Sequence, residues 1–392
     1  MKVAIITERA NITLGGAEKS VFELAATMSL SDVDVKILAA TGTTQSHRVQ
    51  VLCGNTEKRV SLKTFEKALR QHLNENHYDI VHSVVPFDFA DIYQPRGGSY
   101  PEAAIRNAAS YSSNGLRIFK LLTSCANFKR TAFASAEKKL CKADKGPIVA
   151  ALSEYVKTQF KKHYNLPDER IIVIHNGIKH IKNIDQGRCD RLRAQIYSNF
   201  KLKQADQPVF FLFAANNFRL KGFMPLVNAI AALKDKLTKR PAYLIVAGRG
   251  KVNRYKRIAA KAGVQDRVIF MGQPGNIQNL LTISHVAVLP TYYDPASRFI
   301  LEALADGKPV ITTKFNGASD LFTPDRHGKV FDSPDNIEAL TEAMRFFCVT
   351  ENIDAAKKAI EEDDIKSKVS IHSHCEKLLK LYSDIIKNRT QK

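Results

Sequence analysis

Long apolar segments are missing from this chain of 392 residues. No stretch approaches the roughly 18 to 20 apolar residues that a membrane-spanning helix needs. The first residues, Met1 to Thr7, form only a short apolar run, and Glu8 and Arg9 interrupt it before it reaches the length of a secretory signal. We therefore expect the protein to stay in the cytoplasm unless another interaction recruits it.

Paired cysteines are also missing. The six cysteines stand at positions 53, 125, 141, 189, 348 and 375, with no C-x-x-C pair and no nearby histidine at the spacing of a metal ligand. Scattered cysteines of this kind are typical of reduced, structural thiols. The sequence thus predicts reduced thiols and no zinc site.

Acidic residues are scarce relative to basic ones, with 39 Asp and Glu against 59 Lys and Arg, and the formal net charge is +20. Such an excess attracts polyanions, for example anionic membranes or nucleic acids. Between residues 103 and 163, twelve basic residues face only Glu137, Asp144 and Glu154. Two interpretations of that segment stay open: a solvated helical face, or a surface that meets a membrane or phosphates. Nucleic-acid binding is disfavoured, because no recognition motif is present and few aromatic residues lie among the basic ones.

Short β-branched apolar runs recur along the chain, separated by segments of helical length. This alternation is typical of a parallel sheet that helices bury on both faces. It predicts a doubly wound α/β fold with strands at residues 3–7, 33–39, 80–85, 148–152, 171–174, 209–214, 243–247, 268–271, 286–289 and 310–313.

The predicted strands fall into two groups, because the polar stretch from about Lys179 to Pro208 contains none. We expect two Rossmann-like domains, residues 1–180 and 181–350, followed by C-terminal helices over residues 351–392. Open α/β sheets bind ligands at the carboxyl ends of their strands, so two such domains would face a central cleft. The last helix carries an apolar stripe that must pack on another surface, formed by Leu378, Leu379, Leu381, Tyr382 and Ile385.

A pair of glycines, Gly15 and Gly16, follows the first predicted strand within Leu14–Lys19 and opens a helix. Backbone N–H groups can approach a phosphate there, and the helix dipole favours an anion at the same end. A tight strand-to-helix turn accounts for the pair equally well. The motif is not G-x-G-x-x-G, so a nicotinamide-dinucleotide pocket is disfavoured.

Two cations and a glycine, Arg219, Lys221 and Gly222, follow the first strand of the second group. At the carboxyl end of a strand they suit a diphosphate, whose charge grows on the leaving oxygen as a sugar bond breaks. Surface lysines are common, so this motif alone leaves an ordinary solvated loop open.

The strongest motif runs from Pro290 to Val310. After the strand, a loop carries Asp294, and a helix is predicted to begin between Pro295 and Ser297 with proline at its first position. Glu302 is expected about two turns into that helix. A helix N-terminus aimed at phosphates, flanked by two carboxylates that accept hydrogen bonds from sugar and ribose hydroxyls, indicates a sugar-nucleotide site.

Together these motifs resemble the retaining GT-B glycosyltransferases of family four. The acidic pair usually reads Glu-x7-Glu there, whereas Asp294 replaces the first Glu here and reaches one methylene less far. The resemblance implies that Asp294 contacts the donor sugar, Glu302 binds the ribose and Lys221 binds the phosphates. Arg219 lies two residues before Lys221, a compact arrangement similar to that of lipopolysaccharide-core glucosyltransferases.

The resemblance further implies a C-terminal helix that crosses back to the first domain, a nucleotide-diphosphate sugar as donor, with a UDP-sugar favoured, and neither cofactor nor metal. It implies retention, in which the acceptor hydroxyl attacks the face from which the nucleotide diphosphate leaves. The catalytic residues would be Asp294, Lys221 and Arg219. The donor-binding residues would be Gly15, Gly16, Arg219, Lys221, Gly248, Ala296, Ser297, Arg298 and Glu302.

The sequence gives weaker indications of the residues that bind the acceptor. Many family members carry a histidine there, but the corresponding segment, residues 90–99, has none. Candidate acceptor contacts are His82, Asp91 and Arg96, and a buried structural role is equally open for His82. The expected acceptor is a lipopolysaccharide core or another lipid-linked glycan at an anionic inner membrane. A sugar-nucleotide epimerase of the same fold and a nucleic-acid-binding protein remain alternatives.

Overall fold

The computed structural model describes residues 1–11, 15–43, 46–54, 60–180, 184–234 and 240–391. The chain divides into two compact units. Unit 1 comprises Met1–Ala108, Ser112–Lys179 and Ile371–Lys392, and unit 2 comprises Ala109–Tyr111 and His180–Ser370. Each unit is built on one parallel sheet, which confirms the predicted α/β class.

Unit 1 contains a seven-stranded sheet. Its strands are β1 (Lys2–Ala10), β2 (Asp34–Gly42), β3 (Val49–Val51), β4 (Ile80–Ser83), β5 (Ile92–Tyr93), β6 (Ile148–Ala151) and β7 (Ile171–Val173). Their order is β3-β2-β1-β4-β5-β6-β7, and all neighbouring pairs are parallel.

Helices cover both faces of this sheet. They are α1 (Gly16–Ser29), α2 (Leu62–Glu75), α3 (Tyr100–Ala109), α4 (Asn114–Leu122), α5 (Phe128–Lys142), α6 (Glu154–Tyr164) and, from the end of the chain, α15 (Ile371–Thr390). Val3 and Ile5 of β1 pack with α1 and α15, whereas the alternate residues Ala4 and Ile6 pack with α2. Because successive side chains of a strand point to opposite faces, a strand covered on both sides must be apolar throughout.

Unit 2 contains a six-stranded sheet. Its strands are β8 (Val209–Ala214), β9 (Ala242–Ala247), β10 (Val268–Gly272), β11 (Val286–Leu289), β12 (Val310–Thr313) and β13 (Gly328–Phe331). Their order is β10-β9-β8-β11-β12-β13, again parallel throughout. The helices are α7 (Gln186–Phe200), α8 (Phe223–Lys234), α9 (Val252–Lys261), α10 (Ile277–Ile283), α11 (Arg298–Ala305), α12 (Ile337–Phe346), α13 (Thr350–Glu362) and α14 (Ile365–Lys368).

All ten predicted strands are present, and residues 209–214, 286–289 and 310–313 have the predicted bounds. The apolar runs did not predict β3, β5 and β13. Gln50 interrupts β3, Lys329 interrupts β13 and β5 has only two residues, so none of the three forms a continuous apolar run.

The unit boundaries differ from the predicted domains in two places. Residues 351–370, which we grouped with the C-terminal helices, belong to unit 2, and so does the short segment Ala109–Tyr111. Only α15 lies in unit 1, where Leu378, Leu381 and Tyr382 of its apolar stripe enter the core beside α1. The boundary between residues 179 and 180 lies within one residue of the expected position.

We predict that Leu378→Ala destabilises unit 1 by about 2–5 kcal/mol, because it removes a fully buried side chain and leaves a cavity. Urea denaturation followed by circular dichroism measures the change. Leu379→Ala is the matched control, since Leu379 is only partly buried on the same helix. Equal losses in both variants would mean that α15 is not fixed by this stripe.

Candidate functional site

The candidate site lies in unit 2, at the carboxyl ends of three neighbouring strands. β8, β11 and β12 are adjacent in the sheet, and the loops after them carry Lys221, Asp294 and Asn316. Open α/β sheets bind ligands at this edge. The topology thus brings together two predicted motifs that lie 73 residues apart in sequence.

Lys221 and Asp294 form an ion pair. The Lys221 Nζ donates to Asp294 Oδ2 at 2.7 Å and to the Tyr293 carbonyl at 2.8 Å. The two side chains are only 20% and 15% exposed. An ammonium group has three N–H donors, so these two contacts orient the cation and leave a third donor for a ligand. The structure therefore makes Asp294 the residue that positions Lys221.

The pair depends on a close approach between two loops. Gly222 has a φ of +84°, and a Cβ at this position would lie 1.8 Å from the Pro290 carbonyl oxygen. The same loops are joined by a hydrogen bond from the Tyr292 amide to the Leu220 carbonyl at 2.9 Å. Only glycine combines this backbone conformation with this proximity, which explains the glycine that follows Lys221.

Helix α11 begins at Arg298, with Ser297 as its cap. The Ser297 hydroxyl accepts a hydrogen bond from the Ile300 amide at 3.5 Å. The prediction that Pro295 occupies the first helical position is wrong. The backbone of Asp294 pairs with the chain at Asn316 as an isolated β-bridge. This keeps the chain extended, and the helix begins one residue after the predicted range.

Asn316 joins these elements, a role that the sequence analysis missed. Its side chain is fully buried, and Nδ2 donates to the Thr312 hydroxyl at 2.9 Å. Its Oδ1 accepts from the amides of Ser297 and Ala318, at 3.3 and 3.1 Å. The amide of Ala296 likewise donates to Asp294 Oδ1 at 3.3 Å. The predicted donor contacts of Ala296 and Ser297 thus involve amides that already bind within the protein. The one sequence signal was an Asn-Gly turn directly after a strand.

Glu302 is the fifth residue of α11, about one turn into the helix instead of the two turns predicted. Ile300, Leu301 and Leu304 are fully buried, as expected. Glu302 lies beside Arg298, with 3.6 Å between Oε1 and Nη2, and both side chains are largely shielded, at 14% and 13% exposed. The first two turns of α11 therefore carry an arginine and a carboxylate on one face.

Arg219 makes contacts of its own in the same loop as Lys221. Its guanidinium group stacks on the Tyr111 ring, 3.9 Å from the ring centroid, and donates to the Ser110 hydroxyl. Burial lowers the pKa of the guanidinium from its ordinary value. The predicted phosphate contact of Arg219 stays a prediction.

Gly248 follows β9 and has a φ of +130°. A Cβ at this position would lie 1.8 Å from the Ala215 carbonyl oxygen, in the loop that leads to Lys221. Arg249 next to it donates to Gln273, beyond the end of β10, at 2.6 Å. The glycine thus allows two carboxyl-edge loops to approach each other, and its role in donor binding stays a prediction.

In unit 1, Gly15 caps α1 and Gly16 is the first residue of that helix, whose cap has no side-chain hydrogen bond. The backbone at Gly15 is extended, with φ 176° and ψ −174°. Leu14, which precedes the pair, lies outside the described residues. The strand-to-helix turn and the phosphate contact both stay predictions.

His82 is fully buried, and its Nδ1 contacts the Tyr382 hydroxyl of α15. Burial, together with the charge of Arg96, lowers the pKa of His82 to about 3. A histidine that is neutral and closed off from solvent favours the structural role that the sequence left open, so its predicted acceptor contact has no support in this geometry.

Asp91 and Arg96 lie at opposite ends of β5. Asp91 precedes the strand, accepts a hydrogen bond from the Val81 amide at 2.7 Å and pairs with Arg389. It is thus at the amino edge, whereas ligands of open α/β sheets bind at the carboxyl edge. Arg96 follows the strand and donates to the side chains of Ser20 and Asn176. Of the two candidates, only Arg96 lies at the edge expected for a ligand.

Within the part of the chain that the structure describes, no group of three or more His, Cys, Asp or Glu residues could hold a metal ion. No helix among the same residues is both long and apolar enough to cross a membrane. Cys53, Cys141, Cys189, Cys348 and Cys375 are free thiols, and the side chain of Cys125 lies outside the description.

Two family models match the sequence. Residues 196–364 match the model described as "Glycosyl transferases group 1", and residues 14–180 match "Glycosyltransferase Family 4".

Curated proteins match parts of the chain. The chain is 26% identical over 217 residues to the lipopolysaccharide glucosyltransferase WaaG of Escherichia coli (strain K12), and the matched region covers 54% of this chain and 56% of WaaG. It is 31% identical over 136 residues to the lipopolysaccharide core biosynthesis mannosyltransferase LpsB of Rhizobium meliloti (strain 1021), which covers 32% of this chain and 38% of LpsB. The chain thus spans about half the length, or less, of the curated relatives it matches.

Solved structures resemble the whole chain. The crystal structure of WaaG superposes with a TM-score of 0.73 at 20% identity, covering 97% of this chain and 99% of WaaG. Anabaena HepE, solved in complex with UDP-glucose, superposes with a TM-score of 0.66 at 19% identity, covering 98% of this chain and 100% of HepE. At these identities the likeness concerns the fold.

We predict that Gly222→Ala destabilises unit 2 by about 1–3 kcal/mol more than Gly307→Ala, because only the first adds a clash with a neighbouring backbone. Both glycines have positive φ, at +84° and +68°, so the backbone strain is similar, and a Cβ at Gly307 would meet nothing within 4 Å. Urea denaturation measures both variants. Equal destabilisation would show that the contact with Pro290 is not a constraint.

Proposed function

We propose that this chain, which belongs to the family of glycosyl transferases group 1 and has the GT-B fold of two Rossmann-like domains, transfers a hexosyl group from a nucleotide-diphosphate sugar to a glycan acceptor with retention. The observation that carries the proposal is the Lys221–Asp294 ion pair next to the start of α11, the helix that bears Glu302. Family membership supplies the reaction class, and the pair supplies the charge that the reaction needs.

In the proposed complex, the donor diphosphate lies at the N-terminus of α11. First-turn amide groups of a helix lack partners inside the helix, and the helix dipole favours an anion at that end. The third N–H of Lys221 neutralises the phosphate, while Glu302 accepts hydrogen bonds from the ribose. Asp294 contacts the sugar with its remaining acceptor sites and holds the cation in place. Gly15, Gly16, Gly248, Ala296, Ser297 and Arg298 line the donor in the same proposal.

The reaction breaks the bond between the anomeric carbon and the phosphate oxygen and forms a bond from that carbon to the acceptor oxygen on the same face. The proton of the acceptor hydroxyl passes to the departing phosphate oxygen. The protein contributes position and preorganised charge. Lys221 carries most of that charge, and Arg219 contributes only when its side chain leaves Tyr111. In this scheme no metal ion is needed.

A UDP-sugar is the favoured donor. HepE, which shares the fold, was solved with UDP-glucose, and WaaG is a glucosyltransferase by name. The names of WaaG and LpsB also support a lipopolysaccharide core or another lipid-linked glycan as acceptor. Thermal-shift measurements with UDP, GDP, ADP and their sugars test the donor, because a ligand at about 100 times its Kd stabilises the folded state by about 2.7 kcal/mol.

We predict that Lys221→Ala and Glu302→Ala each lower kcat/KM for sugar transfer by about 10²-fold or more, because each removes one preorganised contact with the donor. The assay follows formation of the glycosylated acceptor and release of the nucleoside diphosphate. Lys234→Ala is the matched control, since Lys234 pairs with Asp266 on the surface of the same unit. Unchanged rates in both site variants would contradict the assignment, and conversion of the sugar nucleotide without acceptor would indicate an epimerase.

Association with an anionic membrane is a further part of the proposal, and helix α4 is the element proposed to bind the membrane. None of the nine residues of this helix is buried. Together with Phe128 it exposes large apolar side chains, which we call the α4 patch: Leu116, Ile118, Phe119, Leu121, Leu122 and Phe128, at 45%, 61%, 55%, 43%, 72% and 90% exposure. Contiguous apolar surface of this kind marks an interaction site.

The charges around the α4 patch select the partner. Arg117 and Lys120 belong to the same helix, and Lys129 and Arg130 follow Phe128. An amphipathic helix with apolar and cationic faces lies in the interface of an anionic bilayer, where both terms favour binding. The basic residues beside α4 therefore favour a membrane-facing surface there, whereas others of the twelve, Arg106, Lys139 and Lys161, pair with Glu102, Asp88 and Asp168. Such a location suits an enzyme whose acceptor is lipid-linked.

We predict that the double variant Phe119→Ser/Leu122→Ser weakens binding to phosphatidylglycerol vesicles at least about tenfold, because it removes two apolar side chains from the α4 patch. Vesicle co-sedimentation measures the affinity, with phosphatidylcholine vesicles as the uncharged reference. Leu30→Ser is the control, since Leu30 is 80% exposed at the end of α1 outside this patch. Unaltered vesicle binding by the double variant would rule out the patch.

A further inference from the structure

A basic pocket lies at the amino ends of four neighbouring strands of unit 2. β9, β8, β11 and β12 are adjacent in the sheet. Four residues that line the pocket each lie within two residues of the start of one of these strands: Arg240, Pro208, His285 and Lys308. The pocket has a volume of about 430 Å³. It is therefore on the edge of the sheet opposite to Lys221 and Asp294, and we call it the amino-edge pocket.

The lining of the amino-edge pocket is cationic. Arg193 of α7, Arg240, Lys308 and Lys357 of α13 contribute, and no Asp or Glu is among its lining residues within the described part of the chain. Acids do lie near these cations outside the pocket: Asp306, Glu361 and Asp364 line a neighbouring cavity that Lys308 and Lys357 also line. Asp306 contacts His180 at 3.0 Å, Asp190 contacts Arg193 at 3.5 Å and Asp354 contacts Lys357 at 3.4 Å.

Lys308 is the most unusual of these cations. Burial and the charges of Lys357 and Arg193 lower its pKa, against the opposing effect of Asp306. Across the described ranges, no hydrogen bond or ion pair of its Nζ is formed with another residue. A shielded ammonium group beside two like charges costs free energy. A bound anion offsets that cost.

His285 and Thr350 add uncharged donors. His285 Nδ1 accepts a hydrogen bond from the Phe210 amide at 2.9 Å, so its proton is on Nε2. Burial and the surrounding cations lower the pKa of His285 to about 3, which keeps it neutral. The Thr350 hydroxyl accepts from Arg240 Nη1 at 3.0 Å, so its own hydrogen can be donated. Thr350 also begins α13, whose cap has no side-chain hydrogen bond, and the first-turn amides add to the positive potential.

Arg240 holds its position independently of any ligand. Its Nε donates to the Gln207 carbonyl at 2.6 Å and its Nη2 to the Pro208 carbonyl at 3.2 Å. These two bonds, together with the one to Thr350, fix the position of the guanidinium group. The pocket thus combines one cation fixed by backbone carbonyls with three others, Arg193, Lys308 and Lys357.

We propose that the amino-edge pocket is a second anion site, separate from the donor site, that binds a phosphoryl group carrying two or more negative charges. Clustered cations, neutral hydroxyl and imidazole donors and a helix N-terminus are the groups that recognise phosphate. The phosphoryl group belongs to a soluble phosphorylated compound or to a lipid headgroup, because both present the same chemistry to these residues.

Isothermal titration calorimetry with inorganic pyrophosphate tests the soluble source. The full chain carries Lys221→Ala, so that binding at the donor site is weakened and the result does not depend on the proposed reaction. We expect one saturable site whose affinity falls at least about tenfold with Lys308→Gln or Lys357→Gln, because each removes a charge-assisted contact. Lys234→Gln is the control for a surface lysine of the same unit. Arg193→Gln, at an arginine that is 46% exposed, keeps the test valid if the Lys308 variant does not fold.

Vesicles test the headgroup source. The chain carries Phe119→Ser/Leu122→Ser to suppress the α4 patch, and binding to vesicles that contain phosphatidic acid is measured with and without Lys357→Gln. Binding of pyrophosphate that Lys357→Gln weakens assigns a soluble ligand, and vesicle binding alone with the same dependence assigns a headgroup. If neither probe binds saturably, or if the pocket variants and Lys234→Gln bind equally, the amino-edge pocket is not an anion site.

Discussion

The ion pair between Lys221 and Asp294 is the interaction on which the candidate site depends. Each partner is largely shielded from water, so each would be costly without the other. The pair forms because two loops after adjacent strands approach closely at Gly222 and Pro290. Asn316 then connects the same region to the first turn of α11. Sheet order, a glycine and one buried amide thus hold a cation at the start of a helix.

The excess positive charge of the chain is distributed over distinct places in the structure. Lys221 is offset by Asp294 and oriented for a ligand. The cations of the amino-edge pocket lie at the other edge of the same sheet with no lining acid among the described residues. The basic residues near α4 accompany an exposed apolar patch in unit 1. Each arrangement suits a different anion, so the net charge by itself does not identify a partner.

Unit 1 shows why a titratable residue near the end of a strand is a weak indicator of catalysis. His82 follows the predicted strand pattern, but α15 covers it and Tyr382 contacts its ring nitrogen. Its pKa, lowered to about 3, keeps it uncharged in the core. Asp91 likewise contacts Arg389 of the same helix. Helix α15 thus contacts two of the three residues that were candidates for acceptor contact, His82 and Asp91. The third, Arg96, lies at the carboxyl edge.

The sequence by itself determined the features that depend on short-range patterns. Continuous apolar runs predicted ten of the strands, and the stripe from Leu378 to Ile385 predicted a helix that must be covered. Asp294 and Glu302 gave the strongest motif. Only the tertiary structure decided which residues meet. Lys221 meets Asp294, Arg219 turns to Tyr111, and Lys308 lies beside Lys357 because strands that are distant in sequence are neighbours in the sheet. Local periodicity reports which faces of an element are apolar, whereas such contacts follow from the order in which strands pair.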